Sequence, residues 1–433
     1  MGPDILFAVG LIAGLLFLLV MGLEIGWSIG IVSLVGLVFF IEQPINQIAY
    51  TSWNALNSFT LTAMPLFILM GSVLGNTGVN EKLFNAIDKW VGHLPGGLAV
   101  SVIFGNAVFG AMSGSTIAAT ATFGKIAFPV MESRKYNPSF SLGTIASGTV
   151  LAPLIPPSIL LILYGAWQGL SIVDLLAAGL IPGLMLTALF LLTITVIVKI
   201  NPDLVPVPVK YSWGERKKAV LEALPFVAVI LGVLGSIFGG IMTPTEAAGL
   251  GAFLSIILTL FYRKLTFRIF SDSLMDTVRI TSFSLFIMAM STLISHVFNS
   301  AGLIPLLKDY VLDLYIGKYT ILLGFFIMYF IMGMFFDSWS MLFLTFPFVM
   351  PIVMGLGINP IWWGVVYVMA AEQSTITPPF GLTLFVLKGV VPQYSLSTIV
   401  KGALPFLIPI YINIILLILF PQLATWLPGM LGN

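Results

Sequence analysis

The sequence predicts an all-α polytopic membrane protein built from two repeats of inverted topology, each with a re-entrant helical hairpin and a broken helix. Three observations predict it: the composition, two apolar stretches too long for one crossing and interrupted midway, and landmarks that recur at a nearly constant offset. Of 433 residues, 59% are hydrophobic and 8% charged, against about 25% charged in an ordinary soluble chain, so too little polar surface exists to face water on all sides. At roughly 20 residues per spanning helix there is room for about ten to twelve spans and for no separate soluble catalytic domain. A cytosolic enzyme, a nucleic-acid binder and a disulfide-stapled secreted fold are thereby excluded. The 18 Lys and Arg nearly cancel the 17 Asp and Glu, no Cys supplies thiol, iron–sulfur or zinc chemistry, and His93 and His296 have no partner at metal-ligand spacing.

The chain opens Met1-Gly-Pro-Asp4 and enters an apolar stretch with no basic region before it, which reads as a first span and not as a removed signal. Runs suited to crossing lie near 4–22, 24–42, 60–78, 139–165, 172–198, 220–242, 244–262, 280–300, 360–388 and 402–424. The over-long stretches, 97–131 and 319–352, are broken by Ser113-Gly-Ser-Thr116 and Asp337-Ser-Trp-Ser340; each reads as a hairpin whose tip stops inside the membrane. The segment Glu81 to Trp90 is too polar to cross, but Leu83, Phe84, Ile87 and Trp90 share a helical face, as in an arm lying at the interface. Ile304 to Tyr315 reads as its counterpart. Lys and Arg are retained on the cytoplasmic side, which puts the basic loops Lys199 to Lys218 and Arg263 to Arg268 there. Counting crossings from them places Glu132-Ser-Arg-Lys135 on the same side and the second hairpin on the opposite face.

The halves echo each other. Ser147-Gly-Thr-Val-Leu-Ala-Pro-Leu-Ile-Pro-Pro-Ser158 is matched by Met369-Ala-Ala-Glu-Gln-Ser-Thr-Ile-Thr-Pro-Pro-Phe380, with the Pro-Pro pairs offset by 222 residues. Asn76-Thr-Gly78 and Ser300-Ala-Gly302 pair at 224, Pro182 and Pro405 at 223. One such pair carries no weight; the ordered set does. It divides the chain into a first repeat, 1–200, a cytoplasmic linker, 201–218, and a second repeat, 219–433. Interrupted helices in corresponding places of inverted halves point to a secondary transporter with its site at the bilayer midplane.

Interrupted helices expose backbone groups that hydrocarbon cannot satisfy, so they persist where protein buries them or where they line a polar cavity. Freed carbonyls and hydroxyls suit a hard cation such as sodium, and half-helix N-termini suit a carboxylate. A Pro-Pro pair by itself only shapes a bundle, and small residues at 110–121 also serve close packing; the convergence of breaks, hydroxyls and symmetry on two places is what favours a site. Buried ionisable residues are functional candidates: Asp337 at the second tip, which also suits an N-cap, and Glu372 about two turns before Pro378. Glu246 reads first as a helix cap. Lys125 is placed to snorkel, to pair with a carboxylate or to meet substrate. No Arg lies near either tip in sequence, so recognition of an acid is expected to rest on hydroxyls, helix dipoles and coupled cations.

Ser113-Gly-Ser115, Ile155-Pro-Pro-Ser158, Met242-Thr-Pro-Thr-Glu-Ala-Ala248 and Thr377-Pro-Pro-Phe-Gly381 together resemble the large membrane subunit of the tripartite ATP-independent periplasmic (TRAP) transporters, over essentially the whole chain. The resemblance implies a sodium-coupled importer of an organic acid, such as a sialic acid or a C4-dicarboxylate, working by an elevator movement in a bacterial inner membrane. It implies two protein partners, a small four-helix membrane subunit and a periplasmic substrate-binding protein, beside the lipid bilayer and the acid itself. It implies one sodium at Ser113, Ala152, Ile155 and Pro156, mostly through carbonyls, and a second at Gly333, Ser374, Thr377 and Phe380. Substrate is implied between the tips, near Ser115, Thr116, Asp337, Ser338 and Ser340. Position 152 is Ala followed by Pro153 where a glycine-bearing break is expected; a backbone ligand survives that change. A stand-alone sodium/dicarboxylate symporter is the alternative. An intramembrane hydrolase using Asp337 and Glu372 lacks a His-Glu-x-x-His pattern or a nucleophile with a paired base, and a passive channel fits hairpins entering from opposite faces less well than alternating access does.

Overall fold

The computed structural model describes residues 3–41, 44–314, 316–379 and 381–431; among them the chain is helical, with no strand. It begins with α1 (Pro3–Val20), α2 (Ile25–Val35, prolonged by a π-helical turn at Gly36–Phe40), α3 (Asn46–Leu56), α4 (Ala63–Thr77) and the amphipathic α5 (Asn80–Val91). Next come α6 (Gly97–Ser113) and α7 (Thr116–Ser133), then α8 (Pro138–Gly148) and α9 (Ile159–Gln168) with an unwound stretch between them, and α10 (Ile172–Ile200). A linker leads to α11 (Trp213–Phe238), α12 (Pro244–Phe261), α13 (Phe267–Ser300) and α14 (Leu303–Asp313). Two abutting helices follow, α15 (Lys318–Met332) and α16 (Ser338–Gly355), then an interrupted pair, α17 (Pro360–Thr375) and α18 (Leu382–Val390), and finally α19 (Leu396–Leu419) and α20 (Gln422–Leu431).

Seven described stretches are long and apolar enough to cross a membrane: Phe59–Thr77, α10, α11, α12, α13, α16 and α19. The expected spans 139–165 and 360–388 are each split in two by an interruption. Asn137 caps α8 with Pro138 in its first turn, Ser158 caps α9 and Asn359 caps α17 with Pro360 at its start, each supplying an acceptor for N–H groups that have no partner within the helix. Thr243 and Glu246 form a reciprocal capping box on α12, the cap role expected of Glu246.

Three boundaries differ from the sequence reading. Helix α13 begins at Phe267, not near 280: Arg268, Asp272, Asp276 and Arg279 make its first part too polar to count as a span, although they follow one another at helical spacing. The run 402–424 stops at Leu419, and α20 starts afresh beyond Pro421, whose ring cannot continue a helix. Helix α3 was not expected; eleven amphipathic residues fall below any spanning length. The expected arm at 81–90 is α5, with Leu83 and Phe84 buried, but Trp90 is 40% exposed and gives its indole N–H to the Arg216 carbonyl at 3.0 Å. From the same helix, buried Asp88 accepts from Tyr211 Oη (2.6 Å), Arg134 Nη2 (3.1 Å) and Ser101 Oγ (3.4 Å), tying the arm to the loop after α7 and to the linker. Burial and the Asp88 carboxylate raise the Tyr211 phenol above its ordinary pKa.

The interior is built around the two interrupted helices. Residues 152–164 and 362–376 are buried along their whole length, while α11 is only 28% buried over its apolar window against 67% for α16. Helix α8 of the first half crosses α19 of the second at Gly143 and Gly402. A Cβ on Gly402 would stand 1.8 Å from the Ser139 carbonyl oxygen, and one on Gly143 would stand 2.0 Å from Gly402 itself. Backbones approach this closely only without side chains, the packing by which membrane helices gain dispersion contacts. Gly402→Ala therefore forces the helices apart at a cost of about 1–3 kcal/mol and lowers the melting temperature of the purified protein. Gly389→Ala, with no atom within 4 Å of its Cβ position, leaves it unchanged; equal melting of both variants would refute the contact.

Candidate functional site

Helix α6 ends at Ser113, and Gly114 turns the chain in the left-handed region (φ 57°). A Cβ there would lie 2.8 Å from the Pro157 carbonyl oxygen, so glycine is required by both conformation and space. Ser115 then caps α7, its Oγ accepting from Ala118 N at 3.4 Å. The turn thus lies against the unwound stretch between α8 and α9, and Gly110 presses on the Cα of Ala152. In an α-helix the carbonyls of Ala152 and Pro153 would accept from residues 156 and 157, but both are prolines and carry no N–H. The Ser158 hydroxyl serves Pro153; Ala152 loses its helical donor. Beside it, Ser113 Oγ is buried with no hydrogen-bond partner among the described residues, as are Asn106 Oδ1 and Ser147 Oγ on α6 and α8. Gly110 of α6 meets Ala152 and Gly114 meets Pro157, so the end of α6 that carries Ser113 packs on the unwound stretch that holds Ala152, Ile155 and Pro156. The Ser113 hydroxyl and the Ala152 carbonyl are oxygens there that lack a helical or side-chain partner among the described residues.

The second place is built differently in detail. Gly333 ends α15 against Ser374, whose Cβ and Oγ leave no space for a side chain, at 1.9 Å from the Cβ position. Asp337 caps α16: Oδ2 accepts from Trp339 N (3.1 Å) and Ser340 N (3.3 Å), and Oδ1 from the Ser340 hydroxyl. Ser374 donates to Ala371 O at 2.5 Å. Thr377 Oγ1 donates to Gln373 O (2.8 Å) and accepts from Gln373 Nε2 (3.0 Å). Gly333, Ser374 and Thr377 converge, with oxygen lone pairs to offer; Phe380, named with them, lies outside the described residues. Both Pro156–Pro157 and Pro378–Pro379 are cis.

One carboxylate joins the two places. Glu372, 3% exposed, accepts from Thr116 Oγ1 at 2.6 Å through Oε2 and from Ser338 Oγ at 2.7 Å through Oε1. Thr116 opens α7 and Ser338 opens α16, so the two helix starts hang on one side chain. Tyr367 Oη donates to the Ser338 carbonyl at 2.5 Å. A cavity of about 790 Å³ lies beneath them, lined by Ser115, Thr116, Asp337, Ser338 and Glu372 and, on other walls, by Lys125 of α7 and Asp276 and Arg279 of α13. Of the residues expected at substrate, Ser340 does not line it; its hydroxyl is fully buried against Asp337. Of the expected sodium residues that are described, Ser113, Ala152, Ile155, Pro156, Gly333, Ser374 and Thr377, none lines the cavity. No arginine was expected near the tips to clamp a carboxylate; Arg279, on the extended start of α13, lines the same cavity.

Two solved transporters share the all-helical fold. They are the Alcanivorax borkumensis YdaH transporter (TM-score 0.55, 15% identity, 90% of each chain) and Neisseria gonorrhoeae MtrF (TM-score 0.56, 12% identity, 98% of this chain and 95% of that one). At these identities the likeness concerns the fold alone. The sequence supplies the family: residues 12–423 match the tripartite ATP-independent periplasmic transporter, DctM component. The sialic acid TRAP transporter large permease protein SiaM of Vibrio cholerae is 32% identical over 97% of this chain and 98% of its own length. The C4-dicarboxylate TRAP transporter large permease protein DctM of Pseudomonas aeruginosa is 31% identical over 94% of each. The chain belongs to this DctM family of TRAP transporters. It is a multi-pass membrane protein, in bacteria of the inner membrane, and the family's systems are tripartite, with a periplasmic binding protein and a small membrane subunit.

Glu372→Ala leaves the Thr116 and Ser338 hydroxyls without their buried acceptor, at about 1–3 kcal/mol each. Hydrogen exchange at 113–118 and 336–342 should quicken in this variant and less so in Glu372→Gln, which keeps one acceptor oxygen. Unchanged exchange at both segments in Glu372→Ala would show that the bridge does not hold them.

Proposed function

We propose that this chain is the transporting subunit of a sodium-coupled importer of organic acids. The observation that carries the reading is the meeting of two interrupted helices and two helix-to-helix turns at one cavity with charged side chains in its wall, in a chain whose full-length relatives are named for sialic acid and C4-dicarboxylates. The turns at 114–115 and 333–337 are read as tips of re-entrant hairpins. Residues 1–200 and 219–433 are read as inverted repeats, joined by the linker 201–218.

Sodium is cargo in this reading. The unpartnered Ser113 hydroxyl and the Ala152 carbonyl, with Ile155 and Pro156, would hold one ion, and Gly333, Ser374, Thr377 and Phe380 the other. An ion at either place supplies positive charge where unwound backbone has lost its donors, which couples its binding to the packing of that tip against its break. The acid lies beneath the tips, between Ser115, Thr116, Asp337 and Ser338. Hairpins and broken helices move together as an elevator against a frame that includes α11 to α13, α11 being the least buried of the long apolar helices. A small four-helix subunit and a periplasmic binding protein complete the system. The stand-alone symporter is not favoured, because the relatives matched along the whole chain are subunits of TRAP transporters.

The test is uptake of labelled sialic acid, succinate and other organic acids into proteoliposomes holding this chain with its small subunit, with and without binding protein and a sodium gradient. Import that needs all of these supports the reading; import by the chain alone points to a symporter. Ser113→Ala and Thr377→Ala should raise the sodium concentration for half-maximal uptake severalfold while protein abundance is kept, since each removes one oxygen of several. Unaltered sodium dependence in both would mean that the ions bind elsewhere.

A further inference from the structure

The cavity beneath the tips carries charges of both signs, and the hydrogen bonds sort them. Its three acids are engaged within the protein: Glu372 by Thr116 and Ser338, Asp337 by the start of α16, and Asp276 by Asn76 Nδ2 at 3.0 Å. Its two cations are not. Lys125 and Arg279 line the cavity and are exposed to it, and among the described residues no carboxylate lies within ion-pair distance of either.

The donors at the tips are committed in the same way. A hydroxyl has one O–H to give; Thr116 and Ser338 give theirs to Glu372, and Ser340 gives its own to Asp337. An anion approaching the tips meets two carboxylates and, of the hydroxyls expected to receive it, only Ser115 with a hydrogen to offer. The favourable place for a negative group is therefore lower in the cavity. Lys125 stands nine residues beyond Thr116 on α7, about 13 Å along the helix axis, and Arg279 stands on α13.

We propose that the carboxylate of the transported acid binds at Lys125, with Arg279 on the facing wall, and that the tips receive the uncharged polar part of the molecule. The inference rests on the transport reading above and deepens it by assigning the acid group a receptor. Lys125 belongs to the arm that carries the first tip, whereas Arg279 belongs to a helix of the frame. The lysine contact travels with the cargo; the arginine contact exists only while α7 lies beside α13. Unneutralised cations in a cavity walled by low-dielectric protein also concentrate anions there.

The test uses the chain with its small subunit and binding protein in proteoliposomes, and as probe whichever of succinate, N-acetylneuraminate and 2,3-diketo-L-gulonate, each a carboxylate, the unaltered protein imports. Lys125→Met should raise the half-saturating concentration of that acid about tenfold, the scale of a lost charge-assisted hydrogen bond, with sodium dependence unchanged; Arg279→Gln should shift it in the same direction. Because the chain has no cysteine, Lys125→Cys can be given a charge of either sign. Modification with an aminoethyl thiosulfonate should restore uptake and modification with the sulfonatoethyl reagent should not, the unaltered complex serving as control. That rescue distinguishes charge from packing even if Lys125→Met folds poorly. Normal affinity in Lys125→Met, or equal recovery with both reagents, overturns the assignment and leaves the transport reading standing. Failure of the unaltered complex to import any of the three acids overturns the transport reading and the assignment with it.

Discussion

The helix interruptions at 114–115, 149–158, 333–337 and 376–379 leave backbone groups that hydrocarbon cannot satisfy, so each must be covered by protein. That requirement explains the arrangement of the interior. The first turn lies against the first break and the second against the second, with Gly114, Gly110 and Gly333 allowing contacts that any side chain would prevent. Helix α11, far less buried than α16, stands nearer the edge. The glycines are thus consequences of the breaks: unwound backbone needs cover, and cover this close needs residues without side chains.

Polarity within that covered region is also rationed. Every acid in the cavity wall accepts hydrogen bonds from its own protein, and a carboxylate so held keeps helix starts in place without attracting cations from outside. Glu372 has the widest reach, since Thr116 and Ser338 come from different halves of the chain. The same economy leaves Lys125 and Arg279 with no carboxylate at ion-pair distance among the described residues, the arrangement on which the proposed carboxylate site rests.

Much of this was legible in the order of residues because membrane proteins impose coarse rules. Apolar runs, prolines, glycines and cap residues act locally: Asn137 with Pro138, Ser158 and Asn359 mark helix starts wherever they occur, and Ser113-Gly-Ser marks a break whatever surrounds it. The α13 boundary was misread for a reason equally local. Arg268, Asp272, Asp276 and Arg279 depress the hydropathy of a segment that is nevertheless helical, and periodicity outweighs average polarity when one face of the helix borders a wet cavity. At the expected sites, Ser113, Ala152, Ser374 and Thr377 were supplied by the family resemblance and not by chain order; Phe380 lies outside the described residues and Ser340 faces Asp337.

By itself the sequence determined that this chain lives in a membrane, where its helices break, and which family it joins, because those properties follow from composition and from neighbours a few residues apart. Which acids accept hydrogen bonds from the protein, which cations have no acid beside them and which two helix starts share a carboxylate were decided only by tertiary structure. Thr116, Ser338 and Glu372 come from three separate helices, and Lys125 and Arg279 line one cavity that no local pattern encodes. Hydrogen bonds act over about 3 Å, so pairing between residues this far apart in the chain exists only once packing has brought them within that distance.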